Sequence, residues 1–84
     1  MGDRFIIYGR STCPFCINAA DYCSAQKIDY IFLDYADFLE ILEECKTFYN
    51  QPTVPIVLSN NLTTGATKKI GGYTDLLRYV EDEK

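Results

Sequence analysis

Cys13 and Cys16 stand three residues apart in Cys13-Pro14-Phe15-Cys16, a spacing that brings two thiols within one helical turn of each other. Paired thiols at this spacing either exchange with disulfides or hold a metal. Exchange requires a thiolate, and an unperturbed cysteine with a pKa of about 8.5 is ionised only to a small extent at neutral pH. Cys13 has three sources of assistance: the partial positive charge of a helix beginning beside it, the free N–H groups of that first turn, and Arg10 three residues upstream. Cys13 is therefore the expected nucleophile. Cys16 lies one turn further in, where the partial charge is weaker and an apolar face begins, so its thiol should stay protonated longer and act as the resolving thiol.

A metal site would need a second ligand pair. Cys23 and Cys45 are the other thiols and the sequence has no histidine. Both fall on expected core faces at spacings unlike a zinc finger, which favours redox chemistry for the pair and places Cys23 and Cys45 in the core as small hydrophobes.

The elements that must position the thiols follow from patterning. Phe5-Ile6-Ile7-Tyr8 is an apolar, β-rich run ended by Gly9, as expected of a strand buried on both faces. Thr12 is the expected cap of a helix running from about Cys13 to Gln26, with Pro14 in its first turn. Tyr30-Ile31-Phe32-Leu33 predicts a second strand, parallel to the first through a right-handed crossover. Asp37 and Glu40 have the spacing of a capping box ahead of a helix from Phe38 to Thr47, whose apolar face carries Phe38, Ile41, Leu42, Cys45 and Phe48. Ile56-Val57-Leu58 and Lys68-Lys69-Ile70 predict an antiparallel pair joined by a polar loop from Ser59 to Thr67. Gly71-Gly72 permits a tight turn, a last helix begins near Thr74 with Leu76, Leu77 and Val80, and Glu81 to Lys84 is expected to be a solvated tail.

The order βαβ, helix, β-hairpin, helix predicts a single α/β domain over residues 1–84, a four-stranded mixed sheet flanked by three helices. A Cys-x-x-Cys on such a unit has the form of a thioredoxin-like redox motif. The net charge of −4 and the lack of basic clusters beyond Lys68-Lys69 argue against nucleic-acid and membrane partners. The N-terminal apolar run is too short for a signal peptide or a membrane span, so a reducing cytoplasm is the expected compartment.

Three stretches together resemble the glutaredoxins, in particular small dithiol members of bacteria and phages: Gly9-Arg10-Ser11-Thr12-Cys13-Pro14-Phe15-Cys16, Thr53-Val54-Pro55 and Gly71-Gly72-Tyr73-Thr74-Asp75-Leu76. The resemblance spans nearly the whole chain in matching order. It implies a thioredoxin-like fold, a glutathione-dependent thiol-disulfide oxidoreductase without a tightly bound cofactor, and a cis peptide bond before Pro55. It further implies that the Val54 backbone meets the cysteinyl part of glutathione and that Thr53 is among the residues that bind the tripeptide. The helix opening at Gly72-Tyr73-Thr74 would attract the γ-glutamyl carboxylate, and Asp75 its ammonium. Arg10, ahead of Gln51, is the candidate for the glycine carboxylate, because a charged fork binds carboxylate better than an amide.

Phe15 stands where tyrosine is common in the family, so a phenol contact to substrate is absent. The segment from Ser59 to Lys69 is longer than the family's tight hairpin and is expected to project away from the site as a loop. Expected partners are glutathione and disulfide-containing or glutathionylated proteins, with a ribonucleotide reductase as the family's precedent, and the protein is expected to be a monomer. Two rival readings are an iron–sulfur or zinc carrier, against which Pro14 counts, and a thioredoxin-type donor recycled by a flavoprotein reductase, against which the lack of Trp counts.

Overall fold

A computed structural model describes residues 3–83. The elements run β1 (Asp3–Gly9), α1 (Pro14–Ala25), β2 (Tyr30–Asp34), α2 (Leu39–Phe48), β3 (Ile56–Asn61), β4 (Thr67–Gly71) and α3 (Tyr73–Glu83). The sheet order is β2-β1-β3-β4, with β1 parallel to β2 and antiparallel to β3, and β3 antiparallel to β4. This is the mixed four-stranded sheet with three helices that the element order implies.

The alternation of β1 divides the interior. Phe5 and Ile7 point to one face, where they pack with Val57 of β3, Ala19 and Cys23 of α1, and Leu76 and Val80 of α3. Tyr8 points to the other face and meets Tyr49 just beyond α2, with ring centroids 5.6 Å apart. On that side Leu42, Ile56 and Leu58 are buried. Cys23 is a core residue as expected, and burial pushes its thiol up to about 11.

Both long connections after helices close in the same way. Lys27 adopts φ 58° and Asn50 φ 53°. After α1, Lys27 N–H donates to the Ser24 carbonyl and Ile28 N–H to the Cys23 carbonyl; after α2, Asn50 N–H donates to Thr47 and Gln51 N–H to Lys46. These paired bonds are the Schellman arrangement, which satisfies the last helical carbonyls and turns the chain sharply back.

Several expectations are corrected. The N-cap of α1 is Cys13, not Thr12; Thr12 lies in the turn before it, because Cys13 N–H bonds back to the Arg10 carbonyl at 3.1 Å and Cys13 itself takes the extended conformation of a cap. The Asp37–Glu40 capping box does not form. Phe38 is the N-cap of α2, because the preceding turn is tied by Asp34, which accepts from Ala36 N–H at 3.0 Å, and by Phe38 N–H donating to the Tyr35 carbonyl at 2.9 Å. The apolar face of α2 is mostly outside the core: Leu42 is buried, Cys45 is half-buried rather than fully buried, and Phe38, Ile41 and Phe48 are exposed. One short helix over a narrow sheet covers only the residues directly beneath it.

The extra length of the hairpin goes into the strands, not the loop. β3 continues to Asn61 and β4 begins at Thr67, and Asn61 Oδ1 accepts from Thr63 and Thr64 N–H at 2.8 and 3.0 Å to close the turn. That turn lies beside the start of β1, where Asp3 pairs with Asn61, at the end of the sheet opposite the cysteine pair. Residues 81–83, expected as a tail, continue α3, held by Leu76 and Val80 one turn apart in the core; Lys84 lies outside the described residues.

Candidate active site

The site forms where three connections meet at one end of the sheet: β1 to α1, α2 to β3, and β4 to α3. In the first, Gly9 ends β1 beneath Cys16, and a Cβ at Gly9 would lie 2.5 Å from Cys16 Sγ, so only glycine lets the helix start this close to the strand. Ser11 N–H donates to Asp34 Oδ1 at 2.9 Å, which pins the loop to the end of β2. The backbone N–H groups of Ser11 and Ala36 and the Ser11 hydroxyl hold the Asp34 carboxyl below its usual value.

Cys13 at the N-cap and Cys16 inside the first turn are free thiols, 8% and 0% exposed. Burial pushes the Cys13 thiol up, but the Cys16 N–H, the Cys16 thiol, the Phe15 N–H and the Arg10 guanidinium together outweigh it, and the pKa ends below the ordinary value. None of these N–H groups closes to a full cap hydrogen bond; they act as a cluster of dipoles around the sulfur. Cys16 moves the opposite way, up to about 12. Burial is the largest cause, opposed by the Arg10 backbone and charge and reinforced by the hydrogen bond and negative charge of Cys13. The two thiols are thus separated into one that ionises readily and one that holds its proton.

The second connection carries a cis peptide bond between Val54 and Pro55. Gln51, 9% exposed, reaches over this loop and donates from Nε2 to the Thr53 carbonyl at 3.1 Å and the Pro55 carbonyl at 2.9 Å. In the third, Gly71 has φ +127° and faces the Asp75 side chain, and Gly72 N–H donates to Asp75 Oδ2 at 3.0 Å, closing the first turn of α3. Val57 opposes Gly71 and Leu58 opposes Lys69, so Ile70 is an extra residue, and this bulge directs the chain into the turn.

Between the last two connections and the start of α1 lies a groove of about 520 Å³, lined by Phe15, Gln51, Thr53, Val54, Pro55 and residues 72–75. That volume is in the range of small-molecule sites. Phe15 and Tyr73 form its rim, with ring centroids 6.1 Å apart. The structure therefore brings Phe15, Thr53, Val54, Pro55, Gly72, Tyr73, Thr74 and Asp75 to one groove. Cys13 and Arg10 stand outside its lining; Arg10 is half-buried, and its Nε is buried without a hydrogen-bond partner. Asp34 as the tie of the cysteine loop was not legible in the sequence, where Asp37 had the better helix-start spacing. Among the described residues no three Cys, Asp or Glu side chains cluster as metal ligands, and no helix is long and apolar enough to cross a membrane.

Comparison with known proteins matches the glutaredoxin family model to residues 5–62. A Clostridium pasteurianum protein described as an uncharacterised glutaredoxin-like protein in a rubredoxin operon is 30% identical over 63 residues, covering 74% of this chain and 84% of that one. Among solved structures, reduced Escherichia coli glutaredoxin is similar with a TM-score of 0.69 at 27% identity, over 94% of each chain. A dithiolic glutaredoxin from Trypanosoma brucei brucei shares the fold, with a TM-score of 0.74 at 23% identity over 99% of this chain and 82% of that one.

Proposed function

The chain belongs to the glutaredoxin family of thiol-disulfide oxidoreductases, and from that premise we propose that it draws its electrons from glutathione, with Cys13 as nucleophile and Cys16 as resolving thiol. The observation that carries the glutathione reading is the groove, because its walls match the parts of a tripeptide in kind. The Val54 backbone offers an N–H and a C=O for pairing with the cysteinyl residue as a short added strand. The first turn of α3 offers free N–H groups to the γ-glutamyl carboxylate, and the carboxylate of Asp75, engaged through Oδ2 with Gly72, keeps its other oxygen for the ammonium. Arg10 is the proposed partner of the glycine carboxylate, and Phe15 and Thr53 flank the bound peptide.

The proposed cycle starts with the Cys13 thiolate attacking the glutathionyl sulfur of a mixed disulfide. The protein thiolate leaves and takes up a proton, and Cys13 is left joined to glutathione. A second glutathione thiolate then attacks the glutathionyl sulfur of that adduct, giving glutathione disulfide and returning the Cys13 thiolate. On a protein disulfide, Cys13 instead forms a mixed disulfide with one protein sulfur, and Cys16 attacks the Cys13 sulfur to release the reduced protein and form the Cys13–Cys16 disulfide. Two glutathiones then restore both thiols.

The order of events has an electrostatic cause. While Cys13 is a thiolate, its charge and hydrogen bond help to keep the proton on Cys16. Once Cys13 is in a disulfide that charge is gone, and Cys16 ionises more easily when it is needed.

The test is a coupled assay on a glutathionylated peptide with glutathione and its reductase, run beside a flavoprotein thioredoxin reductase. Recycling by glutathione is expected. Cys13→Ser should abolish turnover, and Cys16→Ser should retain removal of glutathione while losing reduction of protein disulfides. Recycling only by the flavoprotein reductase would refute the glutathione reading, and activity in Cys13→Ser would refute the assignment of roles.

A further inference from the structure

Gln51 joins the end of α2 to the loop before β3 and is fixed from both sides. Its backbone N–H donates to the Lys46 carbonyl at 2.9 Å in the turn that closes α2. Its side chain is 9% exposed, and Nε2 donates to the carbonyls of Thr53 and Pro55, the residues on either side of Val54. Residues 52–54 form a bend outside the ladder, and the sheet takes hold of the chain only where Ile56 pairs with Tyr8. The amide of Gln51 is thus the clamp across the segment that presents Val54 to the groove. A primary amide has two N–H donors, and here both are engaged, one with the buried Pro55 carbonyl and one with the partly buried Thr53 carbonyl. Turning the amide toward a ligand would give up the bond to the buried Pro55 carbonyl.

We infer that Gln51 is a positioning residue, one that does not bind glutathione but sets the orientation of the Val54 backbone against which the cysteinyl part of the tripeptide pairs. The inference rests on the glutathione reading for its kinetic consequence, and on the hydrogen bonds alone for its structural one. Gln51 borders the groove, but its donors point into the loop rather than out to a bound peptide.

Two variants test it. Gln51→Met keeps the length and burial and removes both donors; Gln51→Glu keeps the shape and turns oxygens toward two carbonyls. In the reduced protein without any glutathione, ¹⁵N relaxation should show the Val54 order parameter falling from the rigid value of about 0.85 to below about 0.6 in both variants. KM for a glutathionylated peptide should rise roughly tenfold, as expected for losing two hydrogen bonds, with kcat within about twofold and the pH profile of Cys13 alkylation unmoved. The same rise is expected when γ-glutamylcysteine replaces glutathione in the mixed disulfide, because the effect passes through Val54.

If the rise disappears with γ-glutamylcysteine, Gln51 is a direct ligand of the glycine carboxylate and the inference is overturned. A rigid Val54 in both variants, or an unchanged KM, overturns it as well. Should the wild-type protein leave glutathione mixed disulfides untouched, the glutathione reading fails, and the relaxation measurement still decides whether Gln51 holds the loop.

Discussion

Replacing Gly9 by alanine tests the packing on which the thiol pair depends. The added Cβ would lie 2.5 Å from Sγ and 3.0 Å from Cβ of Cys16, and 3.5 Å from Cε1 of Phe32. Non-bonded heavy atoms prefer separations of about 3.5–4.0 Å, so the methyl overlaps the sulfur by about 1 Å while only touching the ring. Cys16 has no room to retreat, being fully buried in the first turn of α1. Overpacking of this kind costs about 1–3 kcal/mol, and each kcal/mol lowers Tm by about 4–8 °C in a domain of this size.

The second consequence is chemical. The N–H and thiol of Cys16 are two of the groups that hold the Cys13 thiol below its ordinary value, so pushing Cys16 aside should raise the Cys13 pKa. Losing about 1.4 kcal/mol of that stabilisation shifts it by about one unit. The assay is the rate of iodoacetamide alkylation against pH, with Cys16→Ser as the control that removes the thiol but keeps the N–H. The midpoint should move to higher pH in Gly9→Ala by more than it does in Cys16→Ser. If Gly9→Ala melts with the wild type and its alkylation profile superimposes on the wild-type one, the close approach of strand and helix is not what holds the pair, and the reasoning fails.

Three further outcomes follow from the same structure. Burial pushes the Cys23 thiol up to about 11 in the folded protein, so its stabilising contribution is complete below the ordinary thiol pKa of about 8.5 and is lost as pH rises toward 11; Cys23→Ser should therefore lose about 1–2 kcal/mol less stability than the wild type between pH 8 and 10 in urea unfolding. Lys27 is exposed with φ 58°, a conformation that favours glycine, so Lys27→Gly should raise stability by about 0.5 kcal/mol, whereas Lys27→Val should lower it. Gly71 combines φ +127° with a Cβ position that would collide with the Asp75 carboxylate, so Gly71→Ala should destabilise by about 1–3 kcal/mol and weaken substrate binding in the coupled assay.

Much of the architecture was legible because it rests on local pattern. The apolar run of β1, the Pro14 start of α1 and the β-α-β order each required only residues close in sequence, whereas the order β2-β1-β3-β4, which seats the hairpin beside β1, came only with the structure. What was not legible depended on side chains that act across the chain. Asp37 had the right spacing to cap α2, yet Asp34 organised that turn, because its carboxylate also serves Ser11, 23 positions away. The apolar stripe of α2 has helical periodicity and lies largely in solvent, since periodicity reports a face and not whether anything covers it. The polar residues from Ser59 to Thr67 resembled a loop, but strand pairing tolerates them where they sit opposite one another; Asn60 Nδ2 reaches Thr67 Oγ1 at 3.3 Å across the ladder.

The three connections at the site share one logic, and it explains why the motifs that carry the family resemblance are where they are. On the proposed reading, each connection brings backbone to a defined place: the N–H groups around Cys13, the peptide of Val54, and the first turn of α3. Backbone is positioned either by removing a side chain that would obstruct it or by tying it with one that reaches over. Gly9 and Gly71 act in the first way, each facing an atom that a Cβ would strike. Asp34, Gln51 and Asp75 act in the second, each accepting from or donating to main-chain groups of a connection. A thiol pair alone supplies reactivity. Gly9 and Asp34 act at the connection that carries the thiols, so substitutions there should alter thiol pKa, whereas Gly71, Gln51 and Asp75 shape the two connections that face the groove, so substitutions there should alter substrate binding and leave the Cys13 profile in place.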